Sequence, residues 1–228
     1  MNFLDQILWL PLRDLPFYLI TLIIAFTVHE FSHAYFANKF GDPTAKLLGR
    51  VTLNPAVHFD LLGIILLLLA GFGWARPVPV NRDNFTKPRM MGIVVSVAGP
   101  LSNLLLGIVG AVIFAALMQF GAISPNAMNG KLAEAVFTFF PLFIYMNFFL
   151  FLFNLIPLPP LDGYRIVEDV VPRRVQSKLQ RVEQWSLLIF LLILIVPGVR
   201  NYTITPLYRA ASWMMGNFLN LFQLMFGA

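Results

Sequence analysis

Two histidines and a glutamate lie within an otherwise apolar stretch, at the spacing of a metal site. Apart from two tyrosines, residues 16–38 contain no other ionisable side chain. In the order His29-Glu30-Phe31-Ser32-His33 the histidines are four positions apart, so on a helix both imidazoles can face one ion. Glu30 could then act as a base toward water at that ion. Charge inside a membrane segment is costly, which favours a functional site over a structural hydrogen-bonded cluster.

A third ligand must come from elsewhere in the chain, because catalytic zinc sites commonly use three protein ligands. Asp162 is the best remaining candidate, since it follows the third long apolar stretch. The simpler interpretation is a turn, because an Asp-Gly pair after two prolines is a good turn signal. Histidine and carboxylate ligands suit zinc, and the sequence alone leaves other divalent ions open.

The composition indicates a polytopic membrane protein. Of the 228 residues, 58% are hydrophobic and only 12% are charged, whereas soluble domains carry about 25% charged residues. The chain has no cysteine, which excludes disulfides and thiolate metal sites. We interpret the net charge of +5 as membrane-topology charge and not as a nucleic-acid patch. We expect no cleaved signal peptide, because a basic n-region and a small-residue cleavage site are missing.

Several elements must position these side chains. A membrane-spanning helix needs about 20 residues, and four apolar stretches approach or exceed that length: 16–38, a stretch within 90–130, 135–161 and the shorter 184–199. Two further segments are ambiguous. Residues 61–74 are apolar but short, and 210–227 could lie at the interface, re-enter the membrane or span it.

The lysines and arginines indicate which loops share one side of the membrane. If 61–74 does not cross, twelve basic residues lie on one side and four on the other. If it crosses fully, the division is ten against six. The positive-inside rule favours the first arrangement, with the N-terminus outside and the loops 39–92 and 162–183 inside. That arrangement also brings Asp162 to the same side as the two histidines.

Taken together, these motifs resemble the site-2 protease family of intramembrane zinc metalloproteases, in a short form without a PDZ or CBS module. The resemblance covers roughly residues 20–165 and depends on the His29–His33 motif in combination with the later Asp162-Gly163 pair. Further matching segments are Gly99-Pro100-Leu101-Ser102-Asn103, Asn154 eight residues before Asp162, and the stretches 49–55 and 73–80.

The resemblance implies an all-α polytopic membrane fold with a three-helix catalytic core and at least one further span. It also implies a membrane-embedded loop with β structure, which would fit residues 47–80. We expect one transmembrane metalloprotease domain over residues 1–228, with its catalytic core at about 16–165.

The site residues follow from the same resemblance. It implies Zn²⁺ held by His29, His33 and Asp162, with Glu30 as the general acid/base. Asn154 would help to hold substrate or the developing oxyanion. Asn103 is a weaker substrate-binding candidate, because it heads an i+4 row of small residues that suits close helix packing.

We therefore expect an intramembrane zinc metalloendopeptidase that cleaves in or near transmembrane segments, for regulated intramembrane proteolysis or clearance of signal-peptide remnants. Its partners would be a transmembrane protein or peptide substrate and the lipid bilayer, with no nucleic acid; the oligomeric state stays open. We expect a multi-pass protein of a prokaryotic cell membrane, with its active site nearer the cytoplasmic side.

A helical substrate hides its carbonyl groups in its own hydrogen bonds, so it must unwind before cleavage. Pro77-Val78-Pro79-Val80 offers a strand edge that could bind the unwound segment.

Two rival functions belong to other classes. A catalytically silent membrane scaffold or binding protein could keep the fold, but the full set of His29, Glu30, His33 and Asp162 is present. A metal transporter could use the same ligands. It would need a ligand path across both leaflets, and the outer halves of the spans lack such carboxylates.

Overall fold

Helices dominate the computed structural model, which describes residues 12–70, 73–120 and 130–226. In chain order they are α1 Leu15–Lys39, α2 Thr44–Leu47, α3 Leu61–Ala70, α4 Pro88–Gln119, α5 Lys131–Asn154, α6 Asp162–Val170, α7 Arg173–Glu183, α8 Ser186–Ile195 and α9 Pro197–Phe226. Short 3₁₀ turns occupy Pro55–Val57 and Arg82–Asn84. The all-α prediction is confirmed.

Three helices form the centre of the molecule. In the described part of the chain, α1, α4 and α5 are the helices that are both long and apolar enough to cross a membrane. α4 packs against both of the others. Proline in the first turn of α1 and α4 is compatible with a helix start, because its missing N–H would have no partner there.

The predicted row of small residues lies where α4 meets α5. Gly107 and Ala111 are both buried, and a methyl group at Gly107 would come within 2.6 Å of the Phe148 ring. Phe148 and Ile144 fill the space that these small residues leave. α4 and α5 approach closely because small side chains on α4 face large side chains on α5.

The described part of the segment 61–74 contains one short helix. α3 has ten residues, or about 15 Å of helix, which is too short for a bilayer. Phe59 and Ala75, which flank the segment, pair as an antiparallel bridge. The two ends of the segment therefore lie side by side. Across the described residues, the β structure expected of this loop is limited to that bridge.

A buried arginine holds the returning end of this loop. Arg50 is 4% exposed and donates hydrogen bonds to the carbonyl oxygens of Val57, Arg76 and Pro77. A buried guanidinium needs several acceptors, and three main-chain carbonyls supply them. Arg50 thereby fixes the beginning of the extended stretch 77–80.

A buried aspartate just after α1 holds the other end of that stretch. Asp42 accepts hydrogen bonds from the hydroxyl of Thr44, from the main-chain N–H groups of Thr44 and Asn81, and from the side-chain amide of Asn84. Burial raises the pKa of Asp42, but these hydrogen bonds outweigh it and hold the pKa below its ordinary value. The stretch is thus attached to the helix that carries the histidines.

The C-terminal region differs from the sequence prediction. The stretch 184–199 does not form one spanning helix, because α8 ends at Ile195 and a new helix begins at Pro197. A ten-residue helix is about 15 Å long, too short to span. The stretch predicted at 210–227 belongs, as far as Phe226, to the 30-residue α9, which packs on α4 and α5; residues 227–228 lie outside the described part.

Candidate metal centre

The two histidines of α1 project their ring nitrogens to one point. His29 Nε2 and His33 Nε2 lie 3.1 Å apart, and the two residues are 6% and 8% exposed. One helical turn separates them, as their spacing predicts. Both rings face α4 and not the lipid-facing surface of α1, since their other nitrogens bond to that helix.

Hydrogen bonds to α4 determine which nitrogen of each ring carries the proton. His33 Nδ1 lies 2.7 Å from the main-chain oxygen of Val95, which can only accept. His29 Nδ1 lies 2.7 Å from Asn103 Oδ1. The Asn103 amide nitrogen donates to the carbonyl of Ala25, so its oxygen is the atom that faces His29. Both histidines therefore donate through Nδ1, and both Nε2 atoms present lone pairs.

Asp162 completes the cluster from the first residue of α6. Its Oδ2 lies 3.1 Å from His29 Nε2 and 3.3 Å from His33 Nε2. Among the described residues, this buried oxygen has no hydrogen-bond partner. With the proton of each neutral ring on Nδ1, three lone-pair atoms face one another, an arrangement that repels itself unless a cation lies between them.

The spacing fits zinc. Tetrahedral nitrogen and oxygen ligands at about 2.0–2.1 Å from the ion lie about 3.3 Å from one another, close to the separations of 3.1–3.3 Å found here. These three residues are also the group of possible metal ligands found within the described ranges.

Two glycines make room for this cluster. A methyl group at Gly99 of α4 would overlap His33 Nε2 and lie 2.7 Å from His29 Nε2. A methyl group at Gly163 would overlap the carbonyl oxygens of Leu155 and Ile156 at the end of α5. Gly99 keeps the space beside the ligand atoms open, and Gly163 lets the start of α6 lie close to residues 155–156, so that Asp162 reaches the histidines.

Comparisons with known proteins agree with this geometry. The family model described as peptidase family M50 matches residues 17–197. The chain belongs to peptidase family M50. It is 46% identical over 223 residues to the Bacillus subtilis protein named "Putative zinc metalloprotease YwhC", with 98% of each chain covered. It is 30% identical over 192 residues to "Putative zinc metalloprotease Rip2" of Mycolicibacterium smegmatis, covering 82% of this chain and 69% of the relative. No solved structure matches the chain.

The family and the names of these relatives imply zinc, which is the ion that suits the donor set of this M50 chain. The site-2 protease resemblance is thereby confirmed, since peptidase family M50 is that family. Three long apolar helices place the protein among membrane proteins.

Glu30 lies beside the ligands and contacts the loop. It is 8% exposed, and its Oε2 accepts a hydrogen bond of 3.1 Å from the main-chain N–H of Val78. Its Oε1 has no hydrogen-bond partner in the part of the chain that the structure describes. One oxygen of the carboxylate is therefore held in place while the other is free to exchange a proton.

An ionic network, which sequence reasoning missed, links the same loop to the helix that begins with Asp162. Arg82 pairs with Glu168 at 3.2 Å and with Asp169 at 2.9 Å, and both carboxylates are 4% exposed. Arg165 pairs with Glu168 at 3.1 Å and with Glu183 of α7 at 2.7 Å.

The two buried carboxylates of this network respond differently to their surroundings. Burial raises the pKa of Glu168, but the guanidinium of Arg165 outweighs this and brings the pKa below its ordinary value. Burial, together with the neighbouring Glu168 carboxylate, raises the pKa of Asp169 to about 6, because the guanidinium of Arg82 offsets only part of the desolvation. A methyl group at Gly92 would overlap Asp169, so α4 packs directly on the network.

The two asparagines predicted to bind substrate lie in different surroundings. Asn103 is fully buried, with its oxygen bonded to His29 and its nitrogen shared between Ala25 and Asn147. In this structure Asn103 is a hydrogen-bond partner of the His29 ring, and its role toward substrate stays a prediction. Asn154 is half-buried at the end of α5 and donates to the carbonyl of Leu150; its role toward substrate stays a prediction.

Proposed function

We propose that this M50 chain is an intramembrane zinc endopeptidase that hydrolyses peptide bonds in or near transmembrane segments of other membrane proteins. The observation that carries the proposal is the convergence of His29, His33 and Asp162 beside Glu30, on a frame of helices apolar enough to lie in a membrane. A scaffold that only binds would not need three converging lone pairs and a free carboxylate oxygen.

The roles of the protein groups follow from their positions. When bound, zinc supplies Lewis acidity, which polarises a carbonyl group and lowers the pKa of water to about 7. His29 and His33, each protonated at Nδ1, direct Nε2 to the ion. Glu30 Oε1 takes the proton of the attacking water and passes it to the leaving amine nitrogen. The Val78 N–H holds Oε2, so that Oε1 keeps its orientation.

The extended stretch 77–80 is our candidate for the substrate-binding edge. In an extended chain the polar groups of Val78 and Val80 face the same side, and the prolines between and before them have no N–H. Within the described residues, the carbonyl of Val78 and both main-chain groups of Val80 lack a hydrogen-bond partner. Unpaired groups along one edge are what an added substrate strand requires.

A proline at position 80 tests this edge, because it removes a donor that Val80→Thr retains. We expect Val80→Pro to lower kcat/KM for an unwound transmembrane peptide by about tenfold, with zinc content unchanged. Equal kcat/KM for the two variants would remove the edge from the mechanism.

We also propose that the site lies nearer the cytoplasmic side of a prokaryotic cell membrane. The support is the positive-inside rule together with the return of the chain between Phe59 and Ala75. The chain has no cysteine, so single cysteines at Lys46 and Lys131 can be labelled from either side. If a reagent added outside labels position 46 and not position 131, the orientation is the opposite of the one proposed.

The activity is tested with purified protein in liposomes that contain a model transmembrane peptide with an unwound centre. We expect Glu30→Gln to retain zinc, because Glu30 is not a ligand, and to lose hydrolysis by a factor of about 10²–10⁴. Zinc content and cleavage are measured on the same preparations. Equal turnover by wild type and Glu30→Gln would remove the enzyme assignment.

A further inference from the structure

A second asparagine lies behind the metal centre without touching it. Asn147 of α5 is fully buried, at 0% exposure, where α5 faces α4. Its amide nitrogen donates to the main-chain carbonyl of Phe143 at 2.8 Å. Its oxygen accepts from the amide nitrogen of Asn103 at 3.1 Å. The proposed hydrolysis does not use this side chain.

The donors and acceptors in this series of hydrogen bonds can be assigned in only one way. The carbonyl of Phe143 is an acceptor, so Asn147 must turn its nitrogen toward it and its oxygen toward Asn103. Asn103 then turns its nitrogen toward that oxygen and toward the carbonyl of Ala25. Its own oxygen is left facing His29 Nδ1 at 2.7 Å, which must carry the proton.

We propose that Asn147 is a positioning residue that fixes the tautomer of His29 through Asn103. With the proton held on Nδ1, the lone pair of Nε2 stays directed at Asp162 and His33, where a zinc ion would be held. The inference rests on the metal centre and not on peptide hydrolysis, so it stands or fails independently of the proposed activity.

The two histidines differ in how securely this orientation is held. His33 donates to the main-chain carbonyl of Val95, which no substitution of a side chain removes. His29 donates to an amide that could rotate by half a turn and present its nitrogen instead. A rotated Asn103 would favour the other tautomer, with the proton on Nε2, and that tautomer cannot bind a metal through Nε2. Asn147 opposes this rotation together with the main-chain carbonyl of Ala25.

Zinc affinity and the tautomer of His29 test the proposal. Outer partners of zinc-bound histidines commonly contribute about 10–100-fold to metal affinity. We expect Asn147→Leu to weaken zinc binding about tenfold or more. In the metal-free protein at pH 9, ¹⁵N NMR of the three histidines should give one His29 tautomer in wild type and a mixture in the variant.

Three further variants distinguish positioning from simple packing. Asn147→Asp keeps an acceptor toward Asn103 and should retain the wild-type tautomer. Asn103→Leu should abolish the effect of Asn147, so that Asn103→Leu/Asn147→Leu binds zinc as Asn103→Leu does. Asn217→Leu is the matched control, since Asn217 makes the same bond to a carbonyl four residues back on α9. It should leave zinc affinity and the tautomer unchanged.

Unchanged zinc affinity and a single His29 tautomer in Asn147→Leu would overturn the proposal. Additive losses in the double variant would also overturn it, because Asn147 would then act independently of Asn103. If Asn147→Leu does not fold, as judged by its thermal transition, Asn147→Ala removes the amide without adding bulk and carries the same two expectations.

Discussion

Two polar networks hold the ligand cluster, and they are built from different chemistry. Inside the helix bundle, the amides of Asn103 and Asn147 are fully buried and carry no charge. At the end of the bundle, Arg82 and Arg165 pair with carboxylates, and the arginine side chains are 28% and 41% exposed. The first network supports His29, and the second supports the helix that begins with Asp162.

The difference follows from the solvent around each network. A charge surrounded by lipid-facing helices is costly, whereas an amide can satisfy both of its polar groups against main-chain carbonyls and another amide. Where α6 and α7 leave the bundle, water reaches the arginines and charge is tolerated. The protein therefore orients the ligand buried in the helix bundle with neutral groups and anchors the peripheral ligand helix with ion pairs.

The largest expected effect on zinc affinity comes from a substitution beside the ligand atoms themselves, which neither network can offset. Gly99→Ala places a methyl group against both Nε2 atoms. We expect zinc affinity to fall more than about 100-fold, since the ligand atoms themselves are displaced. Zinc titration of the purified variant measures this. Gly216→Ala is the control, because its new methyl group meets nothing within 4 Å. Wild-type zinc affinity in Gly99→Ala would mean that the ion lies elsewhere.

The ionic network should give a smaller and salt-dependent effect. Arg82→Gln leaves Asp169 without its ion pair, and we expect a loss of about 1–3 kcal/mol in the free energy of unfolding. Zinc should also dissociate faster in the presence of a chelator, because α6 is held less firmly. The control is Arg89→Gln, an exposed arginine near the start of α4.

Salt separates the two networks in these measurements. Raising the ionic strength from 0.1 to 1 M should reduce the difference between wild type and Arg82→Gln, because partly exposed ion pairs are screened. The loss of zinc affinity in Asn103→Leu should not change. Equal salt dependence in both variants would contradict the contrast drawn between the networks.

The smallest expected effect is a pH dependence at Asp169. Its pKa, raised to about 6 by burial, exceeds the unfolded value of about 3.9. The contribution of protonated Asp169 to the free energy of unfolding is complete below pH 4 and is lost as the pH rises through about 6. Asp169→Asn should therefore gain stability relative to wild type between pH 4.5 and 7, as thermal unfolding of both proteins measures. A constant difference over that range would show that Asp169 does not titrate there.

The sequence was sufficient for features that depend on local spacing. The four-residue separation of His29 and His33 indicates a shared helix face, and the length of the apolar stretches indicates the three long helices. The distribution of basic residues favours a segment 61–74 that does not cross, and the pairing of Phe59 with Ala75 agrees. These signals are local or additive along the chain, so they are visible without coordinates.

Other features depend on distant contacts or on a single residue. Pro197 divides the stretch predicted as the fourth span into two helices. An average hydrophobicity over the whole stretch does not reveal this break. Asn103 carried a clear signal as a polar residue in a small-residue row, but its partner, a histidine 74 positions earlier in the chain, could not be assigned from spacing. Arg82 looked like one topology charge among many, and only the fold places it against two buried carboxylates.

The central claim is that His29, His33 and Asp162 hold one zinc ion. X-ray absorption at the zinc edge of the purified protein tests it most directly, with Asp162→Ala measured beside wild type. We expect one zinc per wild-type chain, bound by two imidazole nitrogens and by oxygen at about 2.0–2.2 Å, and a weaker, altered site in Asp162→Ala. A zinc environment that is identical in both proteins would contradict the account.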